Sequence, residues 1–374
     1  MGSPPPPTRP VRRRRRRSLL AAAAVGVLTL TAAACRVPSR YDEVAIIGGL
    51  QSPWDLSFEP GGGFFFTERT GNINYGTVDG QRGVIGHPAD VVAQGEGGLM
   101  GIAVDPGFDS NRLVYACYMT ANDVRVVRFS VNGNLQMDAG TPIVTGIQRS
   151  SNGRHSGCRT RFGPDGYLWI TTGDATRGTN PQDLNGLNGK VLRVDGDGNA
   201  APGNMVINDR TSVIFAYGFR NPQGISFRPS DGQPFLIEHG ADRDDEITPI
   251  FAGGNGGWNP GASYNESVPM TNFGLGSNVM APQWKSGFPT IAPSGGTFVT
   301  SSLWGDRAGQ MAMAVLKGQE LRMINLNEGV VDPGGAVVSN LGRIRVAVEG
   351  PYDGRLYVLT DSPNGQIVQI TPVL

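Results

Sequence analysis

The sequence predicts an all-β protein, a six-bladed β-propeller whose blades are four-stranded antiparallel sheets. The first observation is a repeat in which an apolar pair precedes a short turn rich in Pro, Gly and Asp and then a run of β-forming residues. The second is that no stretch sustains an amphipathic helical period with caps. The third is the abundance of turn formers, 55 Gly and 27 Pro in 374 residues, without a collagen period.

Six copies of the repeat follow one another along the chain, and the fifth is the weakest. They centre on Pro60, Pro106, Pro164, Pro229, Pro293 and Pro351. Neighbouring copies lie 46 to 65 residues apart, enough for the roughly 40–50 residues of a propeller blade plus longer loops. The rungs of a β-solenoid would be shorter and more regular. Because blades surround a central channel, we expect the functional site where loops at one end converge on the axis.

The N-terminus has the features of an export signal. Residues 12–17 are all Arg, and residues 19–34 form an apolar run that ends at Cys35. This run is short for a membrane span. Its end, Ala-Ala-Ala-Cys, resembles a lipoprotein cleavage site, which would make Cys35 a lipid-modified first residue and the protein a cell-surface lipoprotein. Simple cleavage to a secreted or periplasmic protein is the alternative.

The domain organisation follows from the signal and the repeat. We assign residues 1–35 to the export signal, residues 36–44 to a short linker and residues 45–374 to one propeller domain. The chain has no formal net charge, but the first segment holds seven Arg and no acidic residue. The remainder therefore has a net charge of −7, which argues against nucleic acid as a partner.

Two cysteines lie within the repeats, Cys117 in the strand LVYACYM and Cys158 in HSGCRTRFGPDG. Outside the cytoplasm such a pair usually forms a disulfide. That bond would join neighbouring blades and hold the loop that precedes Cys158. Two buried thiols are the alternative.

His155, just before the third copy of the repeat, is the first candidate for chemistry. It is one of three histidines, and histidine ordinarily titrates near neutral pH, as a general base requires. A hydrogen-bonded structural histidine is the alternative. His87 lies in a Gly-rich turn and is expected at the surface, whereas the role of His239 stays open.

Seven motifs together carry a resemblance that runs from about Ile46 to the C-terminus. They are GEGGLMGIAVDPGF (95–108), HSGCRTRFGPDG (155–166), FRNPQGISF (219–227), EHGADRDDEI (238–247), TIAPSG (290–295), LKGQEL (316–321) and GRIRVAVEGPYDGRLYVLTD (342–361). In this order, the motifs resemble the soluble PQQ-dependent aldose dehydrogenases of the glucose/sorbosone dehydrogenase family, which are exported six-bladed propellers.

The resemblance implies a reaction and a cofactor site. His155 would deprotonate the anomeric hydroxyl of an aldose while hydride passes to the C5 carbonyl of PQQ, which yields a lactone. PQQ carries three carboxylates, and Arg binds a carboxylate through a planar, two-pronged fork. The family's carboxylate-binding positions are Arg220, Lys317, Arg343 and Arg345. The alternative for these four residues is solvated surface charge.

The resemblance also implies a calcium site and a departure from the family. Gly240 and Ala241 stand where the family holds Ca²⁺ by two backbone carbonyls, and calcium prefers such hard oxygen ligands. The ion would polarise the C5 carbonyl as a Lewis acid. Glu96 stands at a cofactor-binding position where glucose-oxidising relatives have Gln. Asn221 and Gln223 are expected to brace the neighbouring Arg rather than to touch substrate.

The sequence therefore predicts an exported, calcium- and PQQ-dependent dehydrogenase that passes electrons to an external quinone or small redox protein. It contains neither a βαβ dinucleotide fingerprint nor a C-x-x-C-H haem motif. A calcium-dependent lactonase is one alternative, although it needs no cluster of basic residues for a tricarboxylate. A propeller that only binds glycans or proteins is another, because fold alone does not guarantee activity.

Overall fold

The computed structural model of the chain describes residues 1–5, 37–326 and 334–374. The chain from Arg36 to Leu374 forms one compact unit. The arginine run, the apolar run and Cys35, on which the predicted export signal depends, lie outside the described residues. Within the described part of the chain, no helix combines the length and apolarity needed to cross a membrane.

Six four-stranded antiparallel sheets build this unit, as the sequence predicted. In chain order, the strands of the first three blades are Pro53–Phe58, Phe64–Glu68, Ile73–Gly76 and Arg82–Gly86; Leu99–Val104, Leu113–Met119, Val124–Ser130 and Thr141–Ile147; and Thr160–Phe162, Leu168–Thr172, Lys190–Val194 and Ile214–Tyr217. Those of the last three are Pro222–Phe227, Pro234–Glu238, Glu246–Pro249 and Trp284–Lys285; Pro293–Phe298, Met311–Val315, Glu320–Ile324 and Gly335–Val338; and Ile344–Glu349, Leu356–Thr360, Gly365–Val373 and Arg40–Leu50. The first strand of each blade contacts the first strands of both neighbouring blades, so the ring is closed.

Little else in the described residues is regular. The remaining elements are a two-stranded hairpin, one short α-helix and three 3₁₀ turns. The hairpin pairs Val206–Ile207 with Arg210–Thr211, and the α-helix spans Phe108–Asn111. The 3₁₀ turns span Asn180–Gln182, Phe273–Leu275 and Ser302–Arg307.

The sixth blade combines strands from the two ends of the propeller domain, and this corrects one predicted domain boundary. Arg40–Leu50 is the outer strand of the sixth blade and pairs antiparallel with Gly365–Val373. Residues 40–44, which the sequence analysis placed in a linker, therefore belong to the propeller. Several of their side chains are exposed, and an outer strand of this kind gives too weak an apolar pattern to be recognised in sequence.

Five of the six repeat prolines lie in the hairpin between the first and second strands of a blade. Pro293 does not, because it begins the first strand of the fifth blade. The corresponding hairpin is residues 299–310, which contain the 3₁₀ turn Ser302–Arg307 in place of a Pro-Gly turn. The weak fifth copy was therefore misaligned, although the blade count was correct.

The second strands of the blades are covered on both faces. Leu168–Thr172 and Met311–Val315 are buried along their whole length, because each blade packs between two others. The chain also approaches itself closely near the axis. A Cβ on Gly101 would lie 2.5 Å from the carbonyl oxygen of Cys158, closer than van der Waals contact allows, so only glycine fits there.

A disulfide joins the second and third blades. It links Cys117, in the second strand of the second blade, to Cys158, two residues before the third blade begins. Both residues are fully buried in the core between these blades, beside Met119 and Ile170. The bond therefore holds the loop that carries His155 against the neighbouring blade.

Replacing both cysteines with serine is expected to destabilise the protein by about 2–4 kcal/mol, because the bond restricts the unfolded chain. Urea unfolding of the wild-type protein and of the Cys117→Ser/Cys158→Ser variant measures this difference. Reductant should lower only the wild-type stability. Two thiols labelled in denatured, unreduced wild-type protein would contradict the disulfide.

Candidate active site

The candidate residues gather at one end of the ring because of the strand order within each blade. The first and second strands are antiparallel, so the start of the first and the end of the second lie at the same end of the blade. His155 and Arg220 precede first strands, Gly240 and Lys317 follow second strands, and Arg345 lies near the start of a first strand. The predicted site residues therefore share the end of the propeller at which these loops converge.

The imidazole of His155 is oriented by a buried carboxylate. Its Nδ1 lies 2.8 Å from Oδ1 of Asp174, and the two side chains are 2% and 0% exposed. Asp174 follows the second strand of the same blade, Leu168–Thr172. An ionised carboxylate only accepts hydrogen bonds, so Nδ1 carries the proton and Nε2 is left as the basic nitrogen.

Asp174 is held in turn by two aromatic side chains from a distant loop. The Trp258 indole N–H and the Tyr264 hydroxyl each donate to Oδ2 of Asp174 at 2.9 Å. The Tyr264 hydroxyl also lies 2.9 Å from Nδ1 of His155. Burial, reinforced by the Asp174 carboxylate, raises the pKa of Tyr264, so its hydroxyl stays protonated. Both residues come from the long connection between the third and fourth strands of the fourth blade.

Sequence reasoning missed Asp174, Trp258 and Tyr264. The available signal was the segment GGWNPGASYNES, in which two aromatic residues stand in a stretch too rich in Gly and Asn for a strand. Aromatic residues in such a stretch must pack against another part of the molecule. Nothing in the sequence indicated that this partner is Asp174.

The backbone at His155 is unusual and tightly enclosed. His155 has φ of 52°, a left-handed conformation that is uncommon for residues other than glycine. Its carbonyl oxygen would lie 2.0 Å from a Cβ on Gly173, so the position before Asp174 requires glycine. Backbone conformations of this kind cluster at functional sites, where the surrounding structure enforces them.

Glu96 contacts His155 rather than the basic side chains. Its Oε2 accepts from the backbone N–H of His155 at 3.3 Å and from Nδ2 of Asn221 at 3.0 Å. Burial raises the pKa of Glu96. The charges of His155 and His239 and the two hydrogen bonds outweigh burial, so the net pKa lies below the ordinary value. Glu96 therefore places a negative charge beside His155.

Arg220 and Arg345 are both close enough to His239 for their charges to act on it. Both guanidinium groups lower the pKa of His239, whose largest shift comes from burial. Arg345 donates from Nη1 to Gln223 and from Nη2 to Asp361, each at 2.7 Å. Arg220 donates from Nη1 to the carbonyl of His239 at 3.5 Å. Three nitrogen atoms of these side chains are inaccessible to solvent and have no partner among the described residues; they are Arg220 Nε, His239 Nε2 and Arg345 Nε.

This buried nitrogen cluster indicates a ligand site. A buried N–H without a partner costs free energy, and such groups are rare outside sites that a ligand or ion completes. Two guanidinium groups with free Nε–H groups favour a ligand with several carboxylates. A tricarboxylate cofactor such as PQQ fits these residues.

The other predicted basic residues are less enclosed. Arg343 donates to Asp361 from Nε and Nη2 at 3.2 and 3.1 Å, so it shares this carboxylate with Arg345. Lys317 is exposed and lies 3.5 Å from the hydroxyl of Thr290. The structure also corrects the expectation for Asn221 and Gln223. Neither braces Arg220 through its side chain: Asn221 bonds Glu96, and Gln223 accepts from Arg345.

The predicted calcium ligands lie in the turn after the second strand of the fourth blade. No described N–H or hydroxyl group donates to the carbonyl oxygens of Gly240 and Ala241, which leaves both oxygens available to a hard cation. The carboxylate of Asp245, in the same turn, accepts hydrogen bonds from the backbone N–H groups of Gly240, Ile291 and Ala292. The described residues contain no group of three or more His, Cys, Asp or Glu side chains arranged to hold a metal.

Arg159 joins three blades through buried contacts, another role that sequence reasoning missed. Its guanidinium is fully buried, lies 4.0 Å from the centre of the Trp54 ring and pairs with Asp55 at 2.6 Å. It also donates to the carbonyl of Gln223 at 2.9 Å, so it joins the first, third and fourth blades. Burial, partly offset by Asp55, lowers the pKa of Arg159 to about 9.

The fold and the site define a propeller enzyme, with an oriented histidine and a buried nitrogen cluster at one end of the ring. The sequence model of the glucose/sorbosone dehydrogenases matches residues 50–369. The chain therefore belongs to the glucose/sorbosone dehydrogenase family, and with it to the oxidoreductases.

Individual relatives agree with this membership. The chain is 28% identical over 365 residues to the aldose sugar dehydrogenase YliI of Escherichia coli K12, which covers 93% of this chain and 97% of that protein. It is 29% identical over 287 residues to quinoprotein glucose dehydrogenase B of Acinetobacter calcoaceticus, covering 67% and 59% respectively.

Solved structures of related proteins have the same fold. The PQQ-bound aldose sugar dehydrogenase of Streptomyces coelicolor has a TM-score of 0.75 at 28% identity, covering 90% of this chain and all of that one. The apo form of the soluble aldose sugar dehydrogenase of Escherichia coli has a TM-score of 0.79 at 26% identity, covering 89% and 99%.

Proposed function

We propose that this protein is a PQQ- and calcium-dependent dehydrogenase that oxidises aldose sugars at the anomeric carbon to lactones. The observation that carries the proposal is the buried nitrogen cluster lying at the same end of the ring as the His155–Asp174 pair. The cluster suits a polycarboxylate, and the pair suits proton removal from a hydroxyl group. Family membership supports both assignments.

The cofactor would be held by the predicted basic residues. Arg220 and Arg345 offer unpartnered Nε–H groups, and Arg343 and Lys317 add positive charge from neighbouring loops. The chemistry that PQQ supplies when bound is two-electron acceptance of the hydride that leaves the anomeric carbon. Gly240 and Ala241 would hold Ca²⁺ through their carbonyl oxygens, and this ion would supply Lewis-acid polarisation.

The chain's own contribution to the reaction is proton transfer. His155 would accept the proton of the anomeric hydroxyl at Nε2. Asp174 fixes the tautomer in which Nδ1 carries the other proton and stabilises the imidazolium that forms. Trp258 and Tyr264 satisfy the second oxygen of Asp174 by hydrogen bonding and so keep the carboxylate in place. The ring is therefore held in place while it is protonated and deprotonated.

The location and the electron acceptor belong to the same proposal. The arginine run and the apolar run before Cys35 support export, with either a lipid anchor at Cys35 or a secreted product. The electrons would leave to an external quinone or small redox protein, because the sequence contains no haem attachment motif.

Reconstitution tests the proposed function. Apo-protein from a host that makes no PQQ would be titrated with PQQ in the presence of Ca²⁺ or of a chelator, then mixed with aldoses and an artificial electron acceptor dye. We expect calcium-dependent binding and sugar-dependent dye reduction. Absence of PQQ binding with Ca²⁺ present would overturn the proposal.

Replacing Glu96 with glutamine is expected to shift the acidic limb of the pH dependence of kcat/KM to lower pH. The lowered pKa of Glu96 keeps it ionised near neutrality, and its negative charge stabilises protonated His155. Glutamine retains an acceptor oxygen but removes this charge, so the neutral base persists to lower pH. Asp90→Asn, an exposed charge change on the same loop, is the control. An unchanged limb, or a shift to higher pH, would contradict this role.

A further inference from the structure

Arg220 is a buried cation that is only partly satisfied by the protein. Its side chain is 6% exposed and lies 5.8 Å from the centre of the Trp258 ring. Nη1 donates to the carbonyl of His239, Nη2 pairs with the carboxylate of Glu266, and Nε has no partner among the described residues. The guanidinium therefore combines one carboxylate contact with one unused N–H group.

The unused Nε–H group shares one edge of the guanidinium with Nη2, the nitrogen that Glu266 contacts. Covalent geometry places the Nε–H bond and one Nη2–H bond side by side, and this edge is one that binds a carboxylate in two-pronged fashion. Glu266 contacts Nη2 through Oε1 alone. An incoming carboxylate that uses both N–H groups of this edge therefore competes directly with Glu266.

Glu266 is held near Arg220 by the loop that also orients the base. It is two residues from Tyr264, which contacts Asp174 and His155, and eight residues from Trp258. The Glu266 side chain is 39% exposed. Glu266 can therefore leave Arg220 for water at small cost, whereas the buried guanidinium has no such alternative.

We propose that Glu266 is an internal competitor for the cofactor, a carboxylate that occupies half of the Arg220 fork until a carboxylate of PQQ displaces it. Glu266 thereby lowers the affinity for the cofactor and holds the loop of Trp258 and Tyr264 in the apo-protein. This inference rests on the proposed function. It adds a determinant of cofactor affinity that does not itself take part in proton transfer.

Cofactor binding to three variants tests the competition. Glu266→Gln removes the charge, and Glu266→Asp keeps the charge but shortens the side chain by one methylene. Asp183→Asn is the matched control, since Asp183 is an exposed carboxylate on the loop after Asp174. The measurement is the Kd of apo-protein for PQQ with saturating Ca²⁺, from quenching of tryptophan fluorescence. Hydrogen exchange of residues 257–272 in the apo-proteins provides a readout without the cofactor.

The competitor assignment predicts a definite order of affinities. We expect Glu266→Gln to lower Kd about five-fold, as for a partly exposed ion pair, and Glu266→Asp to lower it by a smaller factor. Asp183→Asn should leave Kd unchanged. Exchange in residues 257–272 should be faster in apo Glu266→Gln than in the apo wild-type protein.

Other outcomes separate the two proposals. If the wild-type protein binds PQQ and Glu266→Gln binds it equally or more weakly, Glu266 is not a competitor, although the proposed function stands. An equal gain in Asp183→Asn would show a general effect of charge and would also overturn the competition. If neither the wild-type protein nor Glu266→Gln binds PQQ, the proposed function fails and this inference fails with it.

Discussion

Replacing His155 with alanine is expected to lower kcat by a factor of about 10²–10⁴, the usual contribution of a general base. The imidazole is the base candidate whose Nδ1 is fixed by a buried carboxylate, at 2.8 Å from Asp174. Cofactor affinity should change little, because the proposed carboxylate-binding groups lie on Arg220 and Arg345. Dye-linked turnover at saturating sugar and the Kd for PQQ measure the two effects separately.

Two further variants test whether His155 acts through its orientation. Asp174→Asn should also reduce kcat strongly, since an amide can donate to Nδ1 and so favour the wrong tautomer. His87→Ala is the control, because His87 is exposed and bonds Asn72. A His155→Ala variant that binds PQQ and retains wild-type kcat would exclude this residue as the base.

Removing Arg343 and Arg345 together is expected to raise the Kd for PQQ at least about 100-fold, because charge-assisted hydrogen bonds contribute roughly 1.5–3 kcal/mol each. Arg345 is the buried member of the pair, and burial lowers its pKa against the opposing effect of Asp361. The Arg343→Ala/Arg345→Ala variant should therefore lose sugar oxidation at low cofactor concentration. Titration of the apo-protein with PQQ measures the loss.

Stability has to be separated from affinity in this experiment. Asp361 is 8% exposed and both arginines contact it, so the double variant leaves a buried carboxylate without these partners and loses stability. The Arg345→Met/Asp361→Asn variant removes both charged partners. It should be more stable than the first double variant but should still bind PQQ weakly. Arg355→Ala, in a hairpin at the other end of the same blade, is the control. Unchanged PQQ affinity in both double variants would contradict the cofactor site, and retained hydrolysis of lactones would favour a lactonase.

The fold was predictable because its determinants are local. A blade consists of short strands joined by tight turns, and Pro, Gly and Asp mark those turns in the sequence. Five hairpins carry this signal at Pro60, Pro106, Pro164, Pro229 and Pro351. The fifth blade lacks it, since its hairpin contains a 3₁₀ turn, and Pro293 was taken for the missing copy. The outer strand from Arg40 was missed because its partner, Gly365–Val373, lies at the other end of the chain.

The candidate site was predictable only in part. Motif resemblance supplied His155, Glu96, Gly240, Ala241 and the four basic residues, and the strand order explains why they share one end of the ring. Resemblance did not supply the partners that determine what these residues do. Trp258 and Tyr264 lie 84 and 90 residues from Asp174 in sequence, and no pattern in their own segment indicates that contact.

The sequence by itself determined the blade repeat, the blade number and the residue types that approach the axis. Only the tertiary structure decided which side chains meet there: Asp174 with His155, Asp361 with Arg345, and Glu266 with Arg220. The physical reason is that turn chemistry and strand periodicity act between neighbours in the chain. Contacts at the axis depend instead on closure of the ring, which brings together loops from different blades and a long connection whose path is set by packing.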